Sequence, residues 1–359
     1  MRGQRKRRRS KNTPKGQHSR PLVIPVFIPH EGCPHCCIFC NQHQISGQGD
    51  TPVSAEDVGR TIETWLARSH ASRRQEVQVA FYGGSFTGLP LQRQESLLAA
   101  VQPYLRQGLV RQIRLSTRPD YIDQKRLDLL CSQGVGIVEL GVQSCDDRLL
   151  QLVGRGHSSA DTIRAAHLIK AAHLNLGIQL MLGLPGQTFG SLRRTVDQVI
   201  GFRPDLVRLY PVLVLQGSPL ATLYHRGGYR PLSLARAVLQ AAYMKKRFDD
   251  QGIAVVRMGL QPGPELEQSL VAGPYHPAFG ELVKARLMLR ATRRILAGAP
   301  PGQPVTLVIN DRDQSIFRGL HSQNLQRLKQ FGLLERFNLR TDPNQPRQTV
   351  GLSEELKDL

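Results

Sequence analysis

The 359-residue sequence predicts an α/β protein: a parallel, partial (β/α)6 TIM-like barrel, open on one side, followed by a small C-terminal α/β extension. Three observations carry that expectation. Short apolar runs rich in β-branched residues alternate with helical stretches six times between Leu22 and Tyr210. The groups able to hold a ligand gather where those runs end, which is the edge at which α/β folds bind. Beyond Val214 the rhythm stops.

The first run, Leu22 to Ile28, reads as a buried strand and delivers four of the six cysteines within eight residues, Cys33 to Cys40. Spaced Cys33-x3-Cys37-x2-Cys40, the loop offers three thiolates, with Cys36 as the spare thiol. Thiolates are the usual ligands of iron–sulfur clusters, and a 4Fe–4S cluster held by three cysteines keeps one iron open for chemistry. Two plainer readings stand beside this one. Cys37-x2-Cys40 is also half of a zinc site, helped by His35 or His43, although only Cys131 and Cys145 follow downstream where a second ligand pair is wanted. A redox dithiol is the other, without the thioredoxin-like context.

Ser54 then caps a helix that carries Val58, Ile62, Trp65 and Leu66 on one face. The second strand, Val77 to Tyr82, runs into Gly83-Gly84-Ser85-Phe86-Thr87-Gly88. Paired glycines at a strand end let backbone approach a ligand, and N–H groups there suit a carboxylate or phosphate, while a tight turn explains the same residues. Further strands are expected at Gln112 to Thr117, Gly136 to Val142, Leu176 to Leu182 and Leu206 to Tyr210, with helices at about 123 to 133, 158 to 173 and 190 to 202. Glu139 lies inside a strand buried on both faces, so it must be partnered or face the ligand edge. After Val214 come a helix from Ser233 to Asp250, a strand from Ile253 to Arg257, a helix from Ala278 to Leu296, a strand from Val305 to Ile309 and a helix from Ser322 to Phe331. The expected organisation is a basic arm over 1–20, the barrel over 21–225 and the extension over 226–359.

Hydrophobic residues at 40% and charged residues at 21% describe a globular protein, and the longest apolar run, Pro21 to Pro29, is half a membrane span and holds three prolines. Clustered cysteines without a secretory signal point to a reducing compartment, so a cytoplasmic protein with no membrane partner is expected. The formal charge is +20, of which +9 sits in the first twenty residues, where there is no acid. A cationic arm on a cationic body suits a partner with a phosphate backbone, a solubilising tail being the plainer reading.

Phe39 just before the last cysteine completes a loop that resembles that of the radical S-adenosylmethionine (SAM) enzymes. Thr117-Arg118-Pro119-Asp120-Tyr121, Glu139-Leu140-Gly141-Val142-Gln143-Ser144, Arg155-Gly156-His157 and Met181-Leu182-Gly183-Leu184-Pro185-Gly186 narrow the likeness. They resemble the radical SAM half of the Elongator catalytic subunit family, over about residues 22 to 290. The resemblance implies a barrel of the radical SAM type, a 4Fe–4S cluster on Cys33, Cys37 and Cys40, and SAM on the remaining iron. Its cleavage to a 5′-deoxyadenosyl radical, a ferredoxin-, flavodoxin- or reductase-type electron donor, and RNA, tRNA foremost, as substrate are implied with it. Gly83, Gly84 and Ser85 occupy the place of a Gly-Gly-Glu-like turn that holds the SAM amino group, with Ser85 where the acid stands. The resemblance further gives Arg155 to the SAM carboxylate, Gln143 to its methionyl or ribose part, and Gly183 to the adenine. Arg257, Tyr275 and His276 fall in the region that closes the barrel. The residues after the resemblance are too few for the family's acetyltransferase domain, so the acetyl-coenzyme A half of the reaction is not carried over. A radical SAM enzyme acting on a small metabolite or peptide, and a non-catalytic RNA-binding cluster protein, remain as alternatives.

Overall fold

The structure, a computed structural model, describes residues 21–28, 31–33, 37–41, 52–69, 76–300 and 304–353. The basic arm, Cys36, His35 and His43 lie outside the described residues.

The main sheet takes β1 (Leu22–Ile28), β2 (Val77–Gly83), β3 (Gln112–Thr117), β4 (Val135–Gln143), β5 (Asn175–Leu182) and β6 (Leu206–Pro211) side by side in chain order, all parallel. Parallel neighbours need a crossover, and helices supply it between most pairs. The helix Ala55–Arg68 joins β1 to β2, Gln124–Ser132 joins β3 to β4, Ser159–Ala171 joins β4 to β5 and Phe189–Gly201 joins β5 to β6. Ser54, the cap expected from the sequence, begins the first of these four, and the side chains of Asp123, Ser158 and Thr188 cap the other three.

The sheet is a curled half-barrel of seven strands rather than six. After the short β7 (Val214–Leu215), the helix Leu234–Asp249 leads into β8 (Ala254–Met258), which pairs in parallel with β6. The strand expected in the extension thus continues the barrel, because the preceding helix is long enough to carry the chain back across the sheet. β9 (Leu270–Ala272) pairs antiparallel with β7. The helix Phe279–Gly298 then leads to a separate three-stranded sheet of β10 (Val305–Ile309), β11 (Phe337–Thr341) and β12 (Val350–Leu352), with β10 in the middle.

The two faces of the main sheet differ in kind. One face presents Ile24, Val26, Val79, Phe81, Ile113, Leu115, Val138, Leu140, Ile178, Leu180, Val207 and Leu209, all buried in a single core with the helices. Each such Leu or Ile contributes about 2–5 kcal/mol against truncation to Ala. The opposite, concave face is polar: Gln78, Tyr82, Arg114, Glu139, Gln179, Arg208 and Arg257 occupy the alternate positions. Parallel strands are usually apolar on both faces, and a polar concave face leaves room for a polar ligand instead of a packed interior.

Candidate active site at the carboxyl edge of the sheet

The cysteine loop is seated on the β2 turn by backbone alone. Gly84 N–H donates to the Ile28 carbonyl at 2.6 Å and Ser85 N–H to the Glu31 carbonyl at 3.0 Å. A Cβ on Gly84 would lie 2.1 Å from the Glu31 oxygen, so only glycine allows the two segments to meet. The N–H groups of Gly84 and Ser85 are therefore used in holding the loop. The Ser85 side chain is buried as well, bonded to Thr117 Oγ1 at 3.0 Å and accepting from Arg118 N–H at 3.3 Å. Thr87 and Thr117 share the same hydroxyl cluster at 2.5 Å. Of the Gly83-Gly84-Ser85 turn, only backbone is left to meet a ligand.

The far side of the loop is pinned to a second apolar cluster. Ile38 N–H donates to the Val153 carbonyl at 3.1 Å, Leu220 N–H donates to the Ile38 carbonyl at 2.8 Å, and Asn41 Nδ2 donates to the Gln216 carbonyl at 2.8 Å. Ile38 and Phe39 pack with Val153, Met181, Leu184 and Leu220. Phe39 thus anchors the loop between its last two cysteines. Cys33 and Cys40 are half-buried, Cys37 is buried, and none of the three is in a disulfide. Among the described residues no three His, Cys, Asp or Glu side chains close on a single metal ion. In a four-iron cluster each thiolate takes a different iron.

Cations converge on these thiols. Arg155, 7% exposed, donates from Nη1 to Cys37 Sγ at 3.6 Å and from Nη2 to the Gly141 carbonyl at 2.6 Å. A Cβ on Gly141 would stand 2.8 Å from that same Nη2, so the glycine makes the space the guanidinium fills. Arg118 grips Asp120 with both forks, at 3.0 and 2.9 Å. Burial works against the charge on Arg118, but Asp120 and, beyond it, Cys33 and Cys37 more than offset this and hold its pKa above the usual value. His157, 6% exposed, is pushed down to about 3 by burial and then by Arg155, with Asp120 opposing and Arg118 adding to the fall. It is neutral at pH 7.

Several buried polar atoms in this group have no hydrogen-bond partner among the described residues: the donors Arg155 Nε and Arg118 Nη1, and both ring nitrogens of His157, of which the neutral ring offers one as donor and one as acceptor. Buried polar atoms are normally satisfied, so these describe a cradle shaped for an anionic or electron-rich occupant. Three reduced thiols, two guanidiniums and unfilled buried donors fit a 4Fe–4S cluster and the carboxylate of SAM.

The remaining expected residues lie on the same edge. Gln143 ends β4 in the left-handed region at φ 66°, across a bulge in the β4–β5 pairing, and its Oε1 accepts from Gln179 Nε2 at 3.1 Å. Non-glycine residues in this region cluster at functional sites. Gly183 gives its N–H to Gln187 Oε1 at 2.7 Å, and its carbonyl accepts from the Tyr229 hydroxyl at 2.7 Å. Arg257, Tyr275 and His276 are held locally instead. Arg257 Nε donates to the Gly259 carbonyl at 3.0 Å, the Tyr275 hydroxyl bonds Glu267 at 2.5 Å, and His276 Nδ1 accepts from Ala278 N–H at 3.0 Å.

Below this edge lies a network that the strand pattern announces only through alternation. Glu139, 2% exposed, pairs with Arg114 Nη2 at 2.6 Å and with Arg208 Nε at 2.6 Å, and accepts from the Tyr82 hydroxyl at 3.3 Å. Arg208 also stacks its guanidinium 4.7 Å from the centre of the Tyr82 ring. Burial, then Glu139, pushes the Tyr82 phenol up to about 12. Two arginines against one carboxylate leave the concave face positive. A single charged residue in the middle of β3, β4 and β6, at the places that alternate with the apolar set, is the signal that finds Arg114 and Arg208.

A Radical SAM superfamily model matches residues 27–199, and a Radical_SAM C-terminal domain model matches residues 204–289. The tRNA uridine(34) acetyltransferase of Methanocaldococcus infernus is 27% identical over 262 residues, 62% of this chain and 49% of that protein. Elongator complex protein 3 of Mus musculus is 26% identical over 256 residues, 59% and 46% of the two chains. The solved structure of archaeal Methanocaldococcus infernus Elp3 with an N-terminal deletion superposes with a TM-score of 0.60 at 23% identity, covering 75% of this chain and 63% of that one, which is a likeness of fold. The chain spans about half the length of the curated relatives it matches. Among the described residues no helix is long and apolar enough to cross a membrane.

Proposed function

Because the chain belongs to the radical SAM superfamily, whose enzymes use a 4Fe–4S cluster and SAM, we propose that it modifies RNA, tRNA foremost, with Cys33, Cys37 and Cys40 as cluster ligands. When bound, the cluster and SAM supply reductive cleavage to methionine and a hydrogen-abstracting 5′-deoxyadenosyl radical. The chain's own residues bind and orient. Arg155 directs its guanidinium to the thiol of Cys37 and to the SAM carboxylate, a forked donor for an anionic acceptor. Arg118 holds positive charge beside Cys33 and Cys37. Backbone carbonyls of the Gly83-Gly84-Ser85 turn accept from the SAM amino group, since the Ser85 side chain is engaged elsewhere. Gln143 takes the methionyl or ribose part, and Gly183 with its neighbours packs on the adenine. The thiols suit a reducing compartment such as the cytoplasm, and the reaction calls for a ferredoxin-, flavodoxin- or reductase-type electron donor.

The single observation that supports this most strongly is the convergence of Arg155 on Cys37 with its Nε still unpaired. For RNA the support is the +20 charge together with relatives named for tRNA uridine(34). We therefore infer an organisation of basic arm (1–20), barrel (21–225) and extension (226–359), with β8 completing the barrel from the extension. Anaerobic reconstitution with iron and sulfide, then dithionite and SAM, should yield 5′-deoxyadenosine, and more of it with bulk tRNA. Product independent of tRNA would remove the RNA reading; a full cluster with no product would leave a non-catalytic cluster protein.

A further inference from the structure

A second cationic feature, which shares no residue with the site at the cysteine loop, lies on the helix Phe279–Gly298. Arg286, Arg290, Arg293 and Arg294 fall at helical spacing on one face, and with Leu289 they line a cavity of about 220 Å³. Arg327, from the helix Gln323–Gln330, adds to the same field. Burial and then Arg327, Arg293 and Arg290 lower the pKa of Arg286, so each charged neighbour that acts on it is another arginine.

Several other helical cations have acids one turn away: Arg60 with Asp57, Arg164 with Asp161, Lys246 with Asp250 and, on this same helix, Lys284 with Glu281. The sequence from 285 to 298 contains no acid at all, and among the described residues these four arginines have no ion-pair partner. A solvated helix face is ordinarily laced with both signs. Like charges gathered around a cavity repel until an external anion enters. Beside them Phe331, 50% exposed, lies with the Arg293 guanidinium 4.2 Å from its ring centre. Forked guanidiniums match phosphate oxygens, and an exposed ring flanked by arginine is a stacking platform for an unpaired base.

The position fits a macromolecular substrate. The helix begins against the carboxyl end of β8, where a Cβ on Gly280 would lie 3.5 Å from the Met258 carbonyl oxygen. At a rise of about 1.5 Å per residue the arginines lie roughly 10 to 20 Å along it from that edge.

We propose that this arginine face is an RNA-binding surface that seats the phosphate backbone of the substrate beside the barrel, while Phe331 receives an unpaired base. The inference rests on the RNA reading above and names where that RNA is held. Charge alone would also admit an acidic protein; the ring next to the guanidiniums favours RNA.

Binding of bulk tRNA, a single-stranded oligoribonucleotide, an RNA duplex and polyglutamate to the full chain, followed by fluorescence anisotropy across a salt series, tests this. Arg290→Gln/Arg293→Gln/Arg294→Gln should weaken tRNA binding by roughly tenfold or more at moderate salt and make the slope of log affinity against log salt shallower by about 2 to 3. Thermal unfolding and RNA-free 5′-deoxyadenosine formation should stay at wild-type level. Phe331→Ala should leave the slope alone and weaken the single strand more than the duplex. A wild-type chain that binds no RNA overturns both this surface and the RNA reading. Wild-type binding that the triple substitution does not change overturns the surface alone. Loss of polyglutamate binding with tRNA binding intact would assign the face to an acidic protein, and equal effects of Phe331→Ala on both RNA forms would remove the stacking role.

Discussion

His157 is buried among two arginines, and neither of its ring nitrogens is hydrogen-bonded among the described residues. Its folded pKa, down at about 3, lies below the unfolded value near 6.5, so the fold favours the neutral ring. The sign follows: the unfolded chain takes up the proton first, and stability fully present above about pH 6.5 is lost as pH falls towards 3. His157→Phe keeps the ring and removes the proton. Between pH 7 and pH 4.5 this variant should lose about 2–3 kcal/mol less stability than the parent, measured by urea unfolding of both chains at each pH. Equal losses would show that His157 is not the titrating group. Cys145 is a contrasting case, pushed up to about 12 by burial and then Asp147, an inert thiol rather than a ligand.

At the scale of elements, the cysteine loop and the β2 turn form one backbone-to-backbone joint. Gly84→Ala places a methyl group 2.1 Å from the Glu31 oxygen and must move one segment or the other. Such a change should destabilise the chain by several kcal/mol and, at temperatures where the sheet survives, should lower iron uptake on reconstitution, read as iron per chain. Unchanged iron content would separate the joint from the cluster ligands. Across the sheet, Glu139→Gln leaves Arg114 and Arg208 buried against each other without a carboxylate. Loss of one partner from a buried ion network typically costs about 3–5 kcal/mol, and chemical denaturation should show it; a loss below about 1 kcal/mol would mean that solvent reaches the arginines. The first six strands and the four long helices between them were legible because parallel strands with helices between them write two periods into the chain, whereas the two helices between β2 and β3, Leu91–Ala99 and Gln102–Arg106, were not read. Glu139 was legible as a problem, a buried acid in an apolar run, while its solution was not, because Arg114 and Arg208 lie 25 and 69 residues away and only the pairing and order of the strands bring them in. Ser85 was placed at the right turn, but its side chain answers to Thr117 on the next strand, a contact set by register.

For the whole molecule, charge divides between the arm and the body. Removing residues 1–20 takes away +9 of the +20, so tRNA affinity should fall and its salt dependence flatten, with SAM cleavage in the absence of RNA unchanged. Filter binding of both chains across a salt series measures the first effect, and chromatography of 5′-deoxyadenosine the second. A slope identical with and without the arm would assign RNA binding to the body alone. Less of the region after Val214 was legible than of the barrel. β8 read as part of an extension because nothing local distinguishes a seventh barrel strand from the first strand of a new unit. The arginines of the helix Phe279–Gly298 read as surface charge because their convergence with Arg327 and Phe331 depends on how that helix packs. The contact between Tyr82 and Arg208 has one more consequence. Their strands, β2 and β6, are four places apart, roughly 19 Å along the sheet at the usual strand spacing, yet the guanidinium lies 4.7 Å from the ring. An arch whose two ends are not hydrogen-bonded to each other spreads under load unless a beam ties its flanks, and Glu139, held from three strands at once, is that beam, so the width of the mouth is set by side chains rather than by the backbone ladder.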